Sequence, residues 1–279
     1  WLLGVFTLSV GLPFFAIAGN GPLLQAWFAR TGHPSAANPY FLYAASNLGS
    51  FAALLLYPVL FETTMRLSQQ SLAWSQGFSL LGIMITACGY LAITGAGKVD
   101  GGKTSDEPAP TWTDVGHYVW LALVPSGLLV AVTAYISTDV AAAPFLWIIP
   151  LSLFLLTFVL IFRDRQIISP TFLNRALPTL AAMIVIAKIL DPNILISTVI
   201  HLAFFFVAAL FCHQRLYDRR PAARHLTQFY LWMSFGGVLG GIFAALVAPL
   251  IFNRVLEYPL LACIIMLAHP ALHKPADGV

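Results

Sequence analysis

Apolar residues in this chain run in long blocks. They do not show the alternation of a half-buried strand or the one-sided stripe of a soluble helix. Nine blocks, separated by proline, glycine, asparagine or charge, fall near residues 2–19, 40–62, 72–94, 117–136, 144–162, 170–190, 194–212, 227–252 and 255–269. A bilayer core takes about 20 apolar residues of helix to cross. The pattern therefore predicts an all-α integral membrane protein, a polytopic bundle of about nine transmembrane helices. Between the first two blocks, Pro22 to Ala29 (PLLQAWFA) predicts a short amphipathic helix at the interface, with Trp27 at headgroup level.

The eighth block, TQFYLWMSFGGVLGGIFAALVAPLIF, holds 26 residues without a charge. Its interleaved pairs Gly236/Gly240 and Gly237/Gly241 strip side chains from a helix face, so that a second backbone can come close. A related pattern lies in the second block: Gly49, Ala53, Leu55, Pro58 and Phe61 match Gly240, Ala244, Leu246, Pro249 and Phe252 at one offset. Gly49 is thereby a further candidate packing position. The match predicts two groups of helices related as parallel repeats, a device of transporters that place a site where the repeats meet. Any two glycine-containing apolar helices can also align this well. The polar stretch 95–116, rich in glycine, proline and mixed charge, reads as a linker between helix groups at 1–94 and 117–279.

Composition sharpens the class. Only 9% of residues are charged and 59% are hydrophobic, against about 25% charged in soluble domains. Cys88, Cys212 and Cys263 sit in apolar runs without metal-binding spacing, so no cofactor or metal is called for. Eleven of the 14 lysines and arginines fall on one set of alternate connections, including Arg215, Arg219, Arg220 and Arg224. By the positive-inside rule that set, the linker and the C-terminus are expected in the cytoplasm. Topology and lipid headgroups account for the basic loops, and no nucleic acid is implied. The first residue is Trp1, so the sequence is expected to be part of a longer chain.

The segments GPLLQAWFARTGHP, PYFLYAASNLGSFAALLLYP, YISTDVAAAPFLWIIPLSLFLLTFVL and HLTQFYLWMSFGGVLGGIFAALVAPLIF, in that order, resemble the membrane region of bacterial fused transporter-like/spermidine-synthase-like proteins. The resemblance implies a bacterial inner-membrane protein. In that family the region can precede a soluble aminopropyltransferase-like domain. This sequence contains no such domain, and its GGVLGG cluster lies in a membrane helix rather than after a strand. No catalytic residue is therefore carried over.

Four ionisable residues stand out because charge in hydrocarbon is costly. Asp139, between two spans on the expected outer side, either binds a cation or caps the next helix with Thr138. Glu62 and Glu257 lie near the outer ends of spans. They form either an electronegative vestibule with Asp139 or simple pairs with Arg66 and Arg254, four and three residues away. His201 falls about seven residues into its span, where it is a proton relay, a ligand or a hydrogen-bonded packing residue. No Ser–His–Asp, His-Glu-x-x-His or phosphate-loop pattern appears, so an enzyme is not expected. Two functions remain. One is a protein that binds or translocates a small solute such as an organic cation, a polyamine being the example that the resemblance suggests. The other is an accessory or scaffold subunit packed against a larger membrane complex, with other membrane subunits as its partners.

Overall fold

The computed structural model describes residues 1–95, 108–139, 147–163, 167–190 and 192–267. These residues fold as an all-α bundle with seven helices long and apolar enough to cross a membrane. In chain order the elements are α1 (Gly4–Phe28), α2 (Phe41–Thr64), α3 (Leu67–Gly95), α4 (Trp112–Asp139), α5 (Ile148–Ile161), α6 (Pro170–Leu190), α7 (Ile194–Asp218), α8 (Ala223–Ile251) and α9 (Glu257–Leu267). Helices α5 and α9, which fill the fifth and ninth expected spans, are shorter apolar helices.

Proline shapes the longer helices. It lacks an N–H and crowds the carbonyl four residues earlier. Wider π turns occur at Thr7–Gly11 before Pro13, at Tyr57–Phe61 around Pro58, and at Phe243–Val247 before Pro249. In this way the helix passes each proline without stopping.

Helix α4 is the hub, packing against α5, α7, α8 and α9. Half of its apolar window is buried, against 44% for α7 and none for α1. The tightest seam joins α4 to α8. A methyl added to Gly236 would sit 2.8 Å from Val119 Cα and nearer still to the Val119 carbonyl oxygen. One added to Gly240 would meet Gly127 N at 2.9 Å and Leu123 C at 3.0 Å. The Ser126 hydroxyl, in contact across this seam, donates to the Gly237 carbonyl at 2.8 Å. The other glycine pair does not turn its Cα face to the seam: a methyl added to Gly237 or Gly241 would have nothing within 4 Å beyond its own helix. Gly49 is exposed with nothing near it. The expectation of a packing role there meets a helix face turned outward, since α2 packs on α5 with the Tyr43 ring edge-on to Phe158.

Several expected boundaries shift by about a turn or more, among them the start of α3 at Leu67 instead of 72 and the end of α7 at Asp218 instead of 212. Helix α4 begins at Trp112 instead of 117, because Thr111 and Asp114 close a reciprocal cap. The Thr111 N–H donates to Asp114 Oδ2 (2.8 Å) and the Asp114 N–H to Thr111 Oγ1 (3.3 Å). Residues 22–28 form the end of α1, with Ala29 as its C-cap, and dock into the bundle. Gln25 is buried, and the Trp27 ring lies over Gly89 of α3, so close that an added methyl would stand 3.0 Å from it. The two expected helix groups also interlock, with α2 on α5 and the end of α1 on α8.

Candidate functional site

A cleft of about 1270 Å³ opens among α4, α6, α7, α8 and α9. Residues exposed at the flank of the bundle line it, including Val185 of α6, Ala245 of α8 and Cys263 of α9. The cleft is therefore open sideways. Its walls are mostly aliphatic, and its polar groups gather where α8 gives way to α9, at residues 252–258. That connection lies at the end of the bundle opposite the arginine-rich turn between α7 and α8.

His201 and Glu257 both line this cleft, and both are buried. His201 belongs to α7, whose start is fixed by Asn193: its side chain accepts from Ile196 N at 3.0 Å. Two turns on, the His201 Nδ1 lies 2.9 Å from the Tyr258 hydroxyl. Tyr135 of α4 completes an aromatic wall. Its ring centre is 4.4 Å from that of His201, and it stacks on Tyr258 at 5.9 Å and 12°.

Glu257 occupies the first turn of α9, where the exposed N–H groups favour a carboxylate. Its residue exposure is 5%, and among the described residues it makes no hydrogen bond or ion pair. Pairing with Arg254 does not occur. Residues 252–256 are not helical, so a spacing of three does not place the two side chains on one face. Arg254 is exposed at the mouth of the same cleft, beside Asn253.

Glu62 is elsewhere. It is exposed at the end of α2, and Met65 is extended (φ −115°, ψ 134°), so the helix breaks before Arg66 and that pair does not form either. Asp139 is the last residue of α4, and its side chain lies outside the described residues. Of the described side chains, the cleft takes Glu257 with His201, and Glu62 does not line it. Tyr135, Tyr258 and Asn253 were not singled out from the sequence, and Arg254 was named there only as a partner for Glu257. The available signal was a tyrosine within a span, whose hydroxyl needs a partner when buried.

Two other buried polar groups belong to packing. The Tyr230 hydroxyl donates to Gln25 Oε1 at 2.8 Å, which ties α8 to α1. The Thr157 hydroxyl commits its hydrogen to the Phe154 carbonyl (2.6 Å) and accepts from His213 Nδ1 (2.7 Å). The His213 ring stacks on Phe158 at 3.8 Å. Among the described residues no group of three histidine, cysteine or acidic side chains could hold a metal ion. Comparison with family models, curated proteins and solved structures returned no match.

Proposed function

We propose that this chain is a non-catalytic, multi-pass membrane protein that binds a small organic cation in the cleft beside Glu257. One observation carries the reading: Glu257, a residue 5% exposed overall, lines the cavity and makes no hydrogen bond or ion pair among the described residues. A carboxylate with no cation beside it in a mostly apolar cleft can take a charge-assisted hydrogen bond from an incoming ammonium group. The tyrosine faces beside it add cation–π attraction. Translocation would require the cleft to open alternately to both sides of the membrane. On the positive-inside rule its mouth faces outward and the arginine-rich turn faces the cytoplasm. The resemblance of the sequence to transporter-like/spermidine-synthase-like membrane regions agrees with a bacterial inner membrane and with an amine as ligand.

The test is calorimetric titration of the purified protein in lipid nanodiscs with ethanolamine and butane-1,4-diamine. Glu257→Gln should weaken binding at least tenfold, about 1.4 kcal/mol, while Glu62→Gln leaves it unchanged. Equal affinity in wild type and Glu257→Gln would refute the assignment.

A scaffold role has its own support. Ser68, Ser71, Ser75, Ser79, Gly82 and Thr86 share one face of α3 at helical spacing, and all are exposed. Small residues of this kind let another membrane helix approach closely. A stoichiometric partner cross-linked to Cys88 in native membranes, together with absent amine binding, would favour that reading.

A further inference from the structure

The cleft is larger than an isolated small amine needs, and its chemistry divides by position. Pockets for drug-sized ligands run to about 300–1,000 Å³, and this one reaches about 1270 Å³. Its polar end holds two opposite charges, Glu257 and Arg254, which line the same space without pairing. Away from that end the lining becomes aliphatic, with Val130, Ala181, Ile184 and Met266 on three helices. Met266 lies nine residues along α9 from Glu257, about 13 Å at helical rise, so the apolar part runs deep into the span. The exposure of Val185, Ala245 and Cys263 leaves it open toward the lipid side of the bundle.

From this arrangement we infer that the ligand is a zwitterionic amphiphile of the aminophospholipid class that enters sideways from the bilayer. Its ammonium meets Glu257, its phosphate meets Arg254 and Asn253, and an apolar chain lies along the wall formed by α4, α6 and α9. This rests on the cleft being the binding site, and it specifies which organic cation is bound. The head sits at the helix ends, where residues 252–256 leave the span. The chain is already in an apolar medium before it binds, so it contributes shape and position more than hydrophobic driving force. Selectivity therefore falls to the paired charges of the head. Arg254 on its own would repel a simple cation, whereas a phosphate beside the ammonium gives both side chains a partner.

Cys263 lines the cleft and is exposed, whereas Cys88 is exposed on α3, away from it. The ratio of their reaction rates with N-ethylmaleimide, read by peptide mass spectrometry, reports occupancy with an internal control. In nanodiscs containing phosphatidylethanolamine, Cys263 should react at least fivefold more slowly relative to Cys88 than in nanodiscs of phosphatidylglycerol alone. Glu257→Gln and Arg254→Gln should each remove most of that protection. A single-chain phosphoethanolamine amphiphile added to phosphatidylglycerol discs should restore it in the wild type. If only this added amphiphile protects, the source is a free amphiphile; if the phosphatidylethanolamine discs protect as well, the bilayer itself supplies it. Equal Cys263 rates in all lipids, with butane-1,4-diamine still protecting through Glu257, would overturn the lipid inference and leave the cation site standing. No protection by lipid, amphiphile or diamine would overturn both.

Discussion

Replacing Gly240 with alanine puts one methyl group into the seam between α4 and α8. That methyl would lie 2.9 Å from Gly127 N and 3.0 Å from Leu123 C. The Leu123 carbonyl oxygen would be nearer still; ordinary contacts between heavy atoms begin near 3.5 Å, so the helices must part by roughly 1 Å. The obstructing atoms are backbone, so no rotamer change relieves them. Overpacking of this kind costs about 1–3 kcal/mol. Separation also stretches the Ser126–Gly237 hydrogen bond, and such interhelical bonds average about 0.6 kcal/mol in membrane proteins. Gly240→Ala should therefore lose about 2–3 kcal/mol, and Gly236→Ala a similar amount. The control lies one residue away. A methyl added to Gly237 or Gly241 would meet nothing within 4 Å, and alanine is the better helix former by up to about 1 kcal/mol. Gly237→Ala and Gly241→Ala should be neutral or stabilising. The double variant Gly236→Ala/Gly240→Ala should cost less than the sum, because helices parted once admit the second methyl more easily. Reversible unfolding in mixed micelles with increasing dodecyl sulfate, followed by circular dichroism, measures all five variants. Equal losses at Gly237 and Gly240, or the reverse order, would refute the seam. Ala244 and Ala245 lie one turn further along and line the cleft, so Gly240→Ala should also weaken amine binding.

Other variants test the supporting contacts by the same unfolding measurement. Thr111→Ala removes half of the reciprocal cap on α4 and should cost about 1 kcal/mol, while Thr111→Ser keeps the hydroxyl and most of the stability. Tyr230→Phe leaves the buried Gln25 amide without its partner and should cost about 1–3 kcal/mol. Adding Gln25→Leu to it should recover stability, since the unpaired amide is then gone. Thr157→Val leaves the buried His213 ring without its partner at a similar cost of about 1–3 kcal/mol, and Thr157→Ser should restore it.

How much of the site was legible can be judged residue by residue. His201 and Glu257 were visible because an ionisable group in an apolar run is conspicuous by type alone. Their partners were hidden. Tyr135 and Tyr258 are separated by 123 positions and meet only because α4 and α9 pack together. The pairs Glu62/Arg66 and Glu257/Arg254 look like helical neighbours in sequence. Both fail, because the helix ends between the partners in one case and has not begun in the other.

The class and the approximate positions of the nine apolar helices among the described residues followed from the sequence alone. A bilayer demands long apolar runs with every backbone group paired inside the helix, and that demand is written locally, in composition. Tertiary structure decided which faces meet. Four glycines at 236, 237, 240 and 241 offer two equivalent packing pairs in sequence. The rotation of α8 against α4 uses Gly236 and Gly240 and leaves Gly237 and Gly241 turned away. The cleft is of the same kind: it exists because α6, α8 and α9 leave space between them beside α4 and α7. Local pattern sets what each helix can bury. The sum of contacts over the whole bundle, which no single segment encodes, sets what each helix does bury.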